Sequence, residues 1–86
     1  MKTKINDFEF INNKQLTKYV IPDGVKKIGN WAFWGCTSLQ SVTIPDSVTE
    51  ICKAAFAGCT NLQSVTIPQG CKYEDAFSDK TKVIVR

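Results

Sequence analysis

The 86-residue chain has no histidine, one methionine, three prolines and five glycines. Without histidine, the commonest general base is missing, and a serine or cysteine nucleophile would need some other activating partner, which nothing in the sequence suggests. The acidic pairs Asp46 with Glu50 and Glu74 with Asp75 fall on turns, where carboxylates are solvated surface, so no enzyme is expected. Four cysteines are present, at 36, 52, 59 and 71, but no Cys-x-x-Cys pair, so neither a metal site nor a cofactor is expected. No glycine-rich phosphate loop occurs. Nowhere is there an apolar run of the roughly 18 residues that a membrane-spanning helix needs. Met1 to Phe10 lacks the apolar stretch of a secretory signal. The chain is therefore expected to be soluble and cytoplasmic, or extracellular if it is a fragment of a surface protein. A formal net charge of +3 is far short of the clustered positive charge of a phosphate-backbone binder, so nucleic acid is not the expected partner. The lysines that could carry such binding are Lys14, Lys18, Lys26 and Lys27.

What is present is a folded composition, 43% hydrophobic and 22% charged, and a repeat. Residues 44–51 (Ile-Pro-Asp-Ser-Val-Thr-Glu-Ile) restate residues 21–28 (Ile-Pro-Asp-Gly-Val-Lys-Lys-Ile), and residues 58–68 restate 35–45, each at a step of 23. Stepping back by the same amount sets Ile5 under Ile28, Phe10 under Phe33, Leu16 under Leu39, Tyr19 under Val42 and Ile21 under Ile44. Stepping forward, Ile67, Pro68 and Cys71 stay in register, whereas Ala76-Phe77 matches Ala55-Phe56 only after a two-residue deletion. The chain divides into a degraded first coil (1–20), two full repeats (21–43 and 44–66) and a shortened last coil (67–86), all within a single domain.

Each coil has a simple physical reading. Val42 and Ile44 alternate with Thr43, the period-two pattern of a strand with one buried face, and Pro45 ends it. A second extended piece follows at Val48 to Ile51. Residues 54–59 (Ala-Ala-Phe-Ala-Gly-Cys) suggest one helical or 3₁₀ turn closed by Gly58, where positive φ carries no penalty. Asn12 holds that glycine position in the first coil, and asparagine is the next-best residue for it. No coil can bury its own apolar face. Stacking aligns the Ile5, Phe10, Leu16 and Ile21 positions in ladders about 4.8 Å apart, which form the core. The expected fold is a repeat solenoid of about four coils, mainly parallel β with short helical or 3₁₀ turns. Cys36 and Cys59 stack one period apart with parallel side chains, a poor geometry for a disulfide, and are expected to be buried reduced thiols. Cys71 takes the place of Val25 and Val48 as a small core residue, while Cys52 stands where the preceding coil has Gly29.

The pattern Ile-Pro-x-x-Val-x-x-Ile-x-x-x-Ala-Phe-x-Gly-Cys-Thr-x-Leu-x-x-Val-x, in residues 21–43 and 44–66, resembles the BspA-like leucine-rich repeat family. The resemblance implies a right-handed solenoid with parallel strands on one side. It also implies adhesion or protein binding, with the strand face as the recognition surface. On that face the outward rows are Thr17, Lys18 and Val20, then Gln40, Ser41 and Thr43, then Gln63, Ser64 and Thr66. Stacked polar rows of this kind are equally consistent with a plain solvated sheet.

The residues themselves point to a second surface. Trp31 and Trp34 correspond to Ala54 and Ala57 in the next coil and to Phe8 and Ile11 in the previous one. Positions that accept alanine are not obligatory core. Phe8, Ile11, Trp31 and Trp34 are expected to form an apolar patch on the turn side, serving either as an interface or as a cover for the open end of the stack. The expected function is a non-enzymatic protein-binding module. It suits a small intracellular inhibitor or adaptor such as a phage or mobile element might carry, with a fragment of a larger bacterial surface adhesin as the alternative. A protein partner, no membrane, and a monomeric or weakly homodimeric state go with it; the terminal strand at Lys80 to Arg86 is guarded by lysines yet open.

Overall fold

A computed structural model of the chain describes residues 2–86. Seven short strands are present, β1 (Lys4–Ile5), β2 (Lys18–Val20), β3 (Lys27–Ile28), β4 (Ser41–Thr43), β5 (Glu50–Ile51), β6 (Ser64–Ile67) and β7 (Lys82–Val85). Every strand pairing is parallel. On one side of the coil β1, β3 and β5 pair in register, Lys4 to Lys27 to Glu50 and Ile5 to Ile28 to Ile51, and Glu50 makes one further bridge to Lys72. On the other side β2 pairs with β4 and β6 with β7, so four rows stand on each side. Neighbouring β4 and β6 are not joined by ladder hydrogen bonds.

The trimmed last coil is resolved step by step. Phe56 bridges Phe77 at an offset of 21, as the two-residue deletion requires. Val65 then pairs with Val83 at an offset of 18, so a further three residues are lost before β7.

The core is the set of ladders. Ile5, Ile28 and Ile51, together with Ile21, Ile44 and Ile67, are fully buried, as are Leu39 and Leu62. Phe10, Phe33, Phe56 and Phe77 form a continuous aromatic stack with ring centroids 5.0, 4.8 and 5.2 Å apart, close to the strand spacing that sets the rise per coil. Tyr19 fills the Val42 position and leans on both Phe10 and Phe33.

The turn segments contain no helix among the described residues, contrary to the helical or 3₁₀ turn expected at 54–59, and the hydrogen bonds give the reason. Alternate amides leave the coil: Trp31, Phe33 and Gly35 donate to the carbonyls of Lys53, Ala55 and Ala57 in the next coil. The amides between them close turns, Ala32 to Gly29, Trp34 to Trp31 and Cys36 to Phe33. Beyond its first turn, an α-helix needs each amide to bond to the carbonyl four residues earlier in its own segment. Here half of them are committed to stacking, and the residues at Phe8, Trp31, Ala54 and Asp75 all have φ near +60°, which breaks helical geometry. Asn12, Gly35 and Gly58 also have positive φ, as the glycine position requires.

The cysteines have a structural use. The Cys36 thiol donates to the carbonyl of Phe10, and that of Cys59 to the carbonyl of Phe33, both at 3.1 Å, tying each coil to the one before it. All four cysteines are free; Cys36, Cys59 and Cys71 are buried and Cys52 is partly exposed. Gly29 admits no side chain, since a Cβ there would lie 2.5 Å from Asp7 Oδ1 and 2.6 Å from Asp7 N. Nothing in the structure explains the choice of cysteine at 52.

The C-terminus is latched. In the β6–β7 ladder the Arg86 amide donates to Ile67 O, so the carbonyl of Ile44, one coil earlier, would look to residue 68 for the same bond. Residue 68 is proline and has no N–H. The Arg86 guanidinium supplies the missing donor, its Nη2 lying 2.6 Å from Ile44 O, while Nε and Nη2 grip Asp46 Oδ1 at 2.9 and 2.7 Å.

Candidate protein-binding surfaces

The turn edge carries an aromatic shelf. Phe8 stacks on Trp31 with ring centroids 6.5 Å apart and planes at 24°, and Trp31 meets Trp34 at 5.7 Å. Phe8 is 54% exposed, and Ile11, Trp31 and Trp34 are half-buried. Below the shelf, buried Ala32 and Phe33 carry the core. Trp34 lies beside Gly58 of the next coil, where a Cβ would press on the Gly35 backbone, 3.2 Å from its N, and only touch the indole at 3.9 Å. The first coil stands between Trp31 and the N-terminal end of the stack, so the tryptophans flank the solenoid rather than close it.

A polar ladder runs beside the shelf. Asp7 Oδ1 accepts the Asn30 amide at 2.8 Å, and Asn30 Oδ1 accepts the Lys53 amide at 3.1 Å. Each coil thus caps the turn backbone of the next and fixes where Phe8 and Trp31 stand. On the strand face Thr17, Lys18, Val20, Gln40, Ser41, Thr43, Gln63, Ser64 and Thr66 are all exposed, Val20 to 68%. The shelf and these rows lie on different segments of the coil, with the Tyr19–Phe33 contact of the core linking the elements that carry them. The structure does not merge them into one patch.

Chemistry on these surfaces is limited. Burial raises the thiols of Cys36, Cys52, Cys59 and Cys71 above their ordinary value, Cys59 being pushed up to about 12. A nucleophilic cysteine needs the opposite shift. Glu9 is held below the usual carboxylate range: burial raises it, but the Asn6 amide and the Lys2 ammonium outweigh that. No group of three or more acidic or cysteine side chains converges on a metal position among the described residues. No helix long and apolar enough to cross a membrane occurs among the described residues.

The model of the BspA type leucine rich repeat region matches residues 3–84 in six copies. The chain belongs to this family. Its coil count is the four rows that the strands define, whatever number of family units is fitted along them. Among solved structures, a leucine-rich repeat protein from Bacteroides ovatus superposes with a TM-score of 0.81 and 27% sequence identity. The superposition covers 98% of this chain and 28% of that one, so the chain spans well under a third of the protein it resembles. No curated protein matches the chain. Leucine-rich repeats of this type present an extended surface built from stacked units, consistent with a binding scaffold.

Proposed function

We propose that the chain is a non-enzymatic protein-binding module that holds its partner on the aromatic shelf of Phe8, Ile11, Trp31 and Trp34, with the strand-face rows as a second contact surface. One observation carries the reading. Phe8 and Trp31 hold φ of 60° and 61°, a left-handed conformation that costs any residue with a Cβ about 1–2 kcal/mol. The fold does not need an aromatic there, because Ala54 and Asp75 occupy the same place in later coils with the same φ. An exposed Phe8 stacked on a half-buried Trp31, at positions where later coils make do with alanine and aspartate, supports a use outside the fold. Tryptophan is also a preferred interface anchor.

Within this reading a small intracellular adaptor or inhibitor fits best. A cytoplasmic setting is supported by four thiols without a disulfide among them. The experiment is a Trp31→Ala/Trp34→Ala double variant, followed by both melting temperature and partner retention. Loss of retention with the fold intact supports the interface. A large drop in melting temperature with retention unchanged overturns it.

The second reading is a piece of a larger bacterial surface adhesin, outside the cell. The 28% coverage of the Bacteroides protein favours it, since there a stretch of this size is one part of a much longer chain. Sequencing the native gene on both sides decides: an export signal upstream or further repeats downstream of Arg86 select the adhesin.

A further inference from the structure

We infer that the partner held on the aromatic shelf is an acidic segment of protein, whose carboxylates meet Lys4, Lys26 and Lys27 while an apolar side chain a few residues away lies on Phe8, Trp31 and Trp34. The inference rests on the shelf reading and adds the chemistry of the partner. It starts from where the two full repeats differ. Outside residues 26–34, repeat 21–43 differs from repeat 44–66 only at Gly24 against Ser47 and Ser38 against Asn61. Within that segment, Lys26 and Lys27 give way to Thr49 and Glu50 in the same step that replaces Trp31 and Trp34 by Ala54 and Ala57. The first coil agrees with the second, since Lys4 stands ahead of Phe8. Lysine and aromatic ring thus come and go together over the first three coils. The fold accepts either set, since β3 and β5 pair in register with Ile28 and Ile51 both buried. Lys72 of the last coil stands opposite Glu50 and so has an opposite charge for a neighbour.

The lysines of the first two coils are left available. Lys4 stands directly opposite Lys27 in the parallel register, a like-charge pairing that weakens the sheet rather than supporting it. Lys4, Lys26 and Lys27 are exposed, and Lys4 and Lys26 have no ion-pair partner among the described residues. Lys27 has only Glu50, at 3.8 Å with both side chains half-exposed, a pair worth little. The carboxylates of the first coil already have partners: Asp7 accepts the Asn30 amide, and Glu9 holds the Lys2 ammonium and the Asn6 amide. Lys4 precedes Phe8 by four residues, as Lys27 precedes Trp31, so each lysine Cα lies no more than about 13 Å from that of its aromatic. An extended peptide covers the same distance in about four residues. The fitting partner therefore carries aspartate or glutamate within that spacing of a large apolar side chain.

A nucleic acid fits this surface less well. The rings stack on one another, Phe8 on Trp31 and Trp31 against Trp34, so the faces that bases would use are partly taken. Exposed Asp7 stands between Lys4 and Phe8 in the chain and would repel a continuous phosphate backbone, whereas a peptide sets down its carboxylates singly.

The test selects random peptides displayed on phage against the full chain. They are then measured on two variants that borrow the third coil's own residues, Lys26→Thr/Lys27→Glu and Trp31→Ala/Trp34→Ala, with folding checked by circular dichroism. Selected peptides are expected to carry aspartate or glutamate within about four residues of tryptophan, phenylalanine or leucine. They are expected to bind each variant at least about tenfold more weakly than the parent. Their affinity for the parent is expected to fall as salt rises from about 0.05 M to about 0.5 M. Composition and salt dependence are read on the parent alone, so they decide the matter even where a variant unfolds. Peptides that need Trp31 and Trp34 yet carry no acid, ignore salt, or bind the folded lysine variant as they bind the parent overturn this inference and leave the shelf reading standing. Peptides indifferent to the tryptophan variant, or no selected peptide at all, overturn both. Oligouridine RNA that binds the parent more tightly than every selected peptide overturns the protein partner in favour of nucleic acid.

Discussion

The Arg86 guanidinium lies on Asp46, forty residues earlier in the chain, and in the same reach gives Ile44 the hydrogen bond that Pro68 cannot. The exposed ion pair and the bond to the partly buried carbonyl contribute differently. An ion pair with its carboxylate at 88% exposure is worth under about 1 kcal/mol. A carbonyl that loses a charged donor costs about 1–3 kcal/mol. Arg86→Ala is therefore expected to lower the melting temperature by about 4–8 °C per kcal/mol lost, and Asp46→Ala by distinctly less. Thermal denaturation of both variants followed by circular dichroism checks the ranking.

Trp31 can be split into its backbone and its ring. Both Trp31→Asn and Trp31→Ala remove the indole, but asparagine tolerates positive φ better. The asparagine variant is expected to be the more stable of the two by about 0.5–1 kcal/mol. Both are expected to lose the partner equally. Chemical denaturation of the pair measures the first difference, and retention assays the second.

The aromatic stack is the part of the core least able to shrink. Phe33 is fully buried between Phe10 and Phe56, and Phe33→Ala removes about 3–5 kcal/mol. Small domains have little stability in reserve, so this variant is expected to be largely unfolded at 37 °C. Amide proton dispersion in a one-dimensional NMR spectrum distinguishes the two states.

Alkaline pH weakens the coil ties at the cysteines. The unfolded Cys59 thiol ionises near 9.0, whereas burial pushes the folded one up to about 12. Between those values the unfolded chain binds fewer protons than the folded one, so stability falls as pH rises through that window and is intact below it. Cys36, Cys52 and Cys71 shift in the same direction. Melting temperatures from pH 8 upward are expected to fall less steeply for Cys59→Ala than for the parent, starting from a lower value because the bond to Phe33 O is gone.

The ladders were legible in the sequence because a solenoid repeats its burial at the repeat period: Ile5, Ile28 and Ile51 need only be counted to be placed. The turn conformation was not. Ala54 to Ala57 have helical propensity, but Ala54 N and Phe56 N bond to Asp75 O and Ala76 O in the next coil, and stacking overrides local preference. Exposure of the Phe8–Trp31 shelf could be inferred from the alanines that replace its residues one coil on. Its left-handed backbone could not, since neither phenylalanine nor tryptophan signals positive φ. The Arg86 latch was hidden because it depends on the offset falling from 23 to 21 and then to 18 within the last coil.

The central claim is that the shelf, rather than the solenoid as a whole, holds a protein. The direct measurement uses the parent chain and a Trp31→Asn/Trp34→Asn variant as matched baits in an extract of the native host. Folding of both is verified by circular dichroism, and retained proteins are quantified by mass spectrometry. The account predicts at least one protein enriched on the parent and reduced at least about tenfold on the folded variant, in line with the loss of a hot-spot pair. Identical retention profiles on the two baits would contradict it.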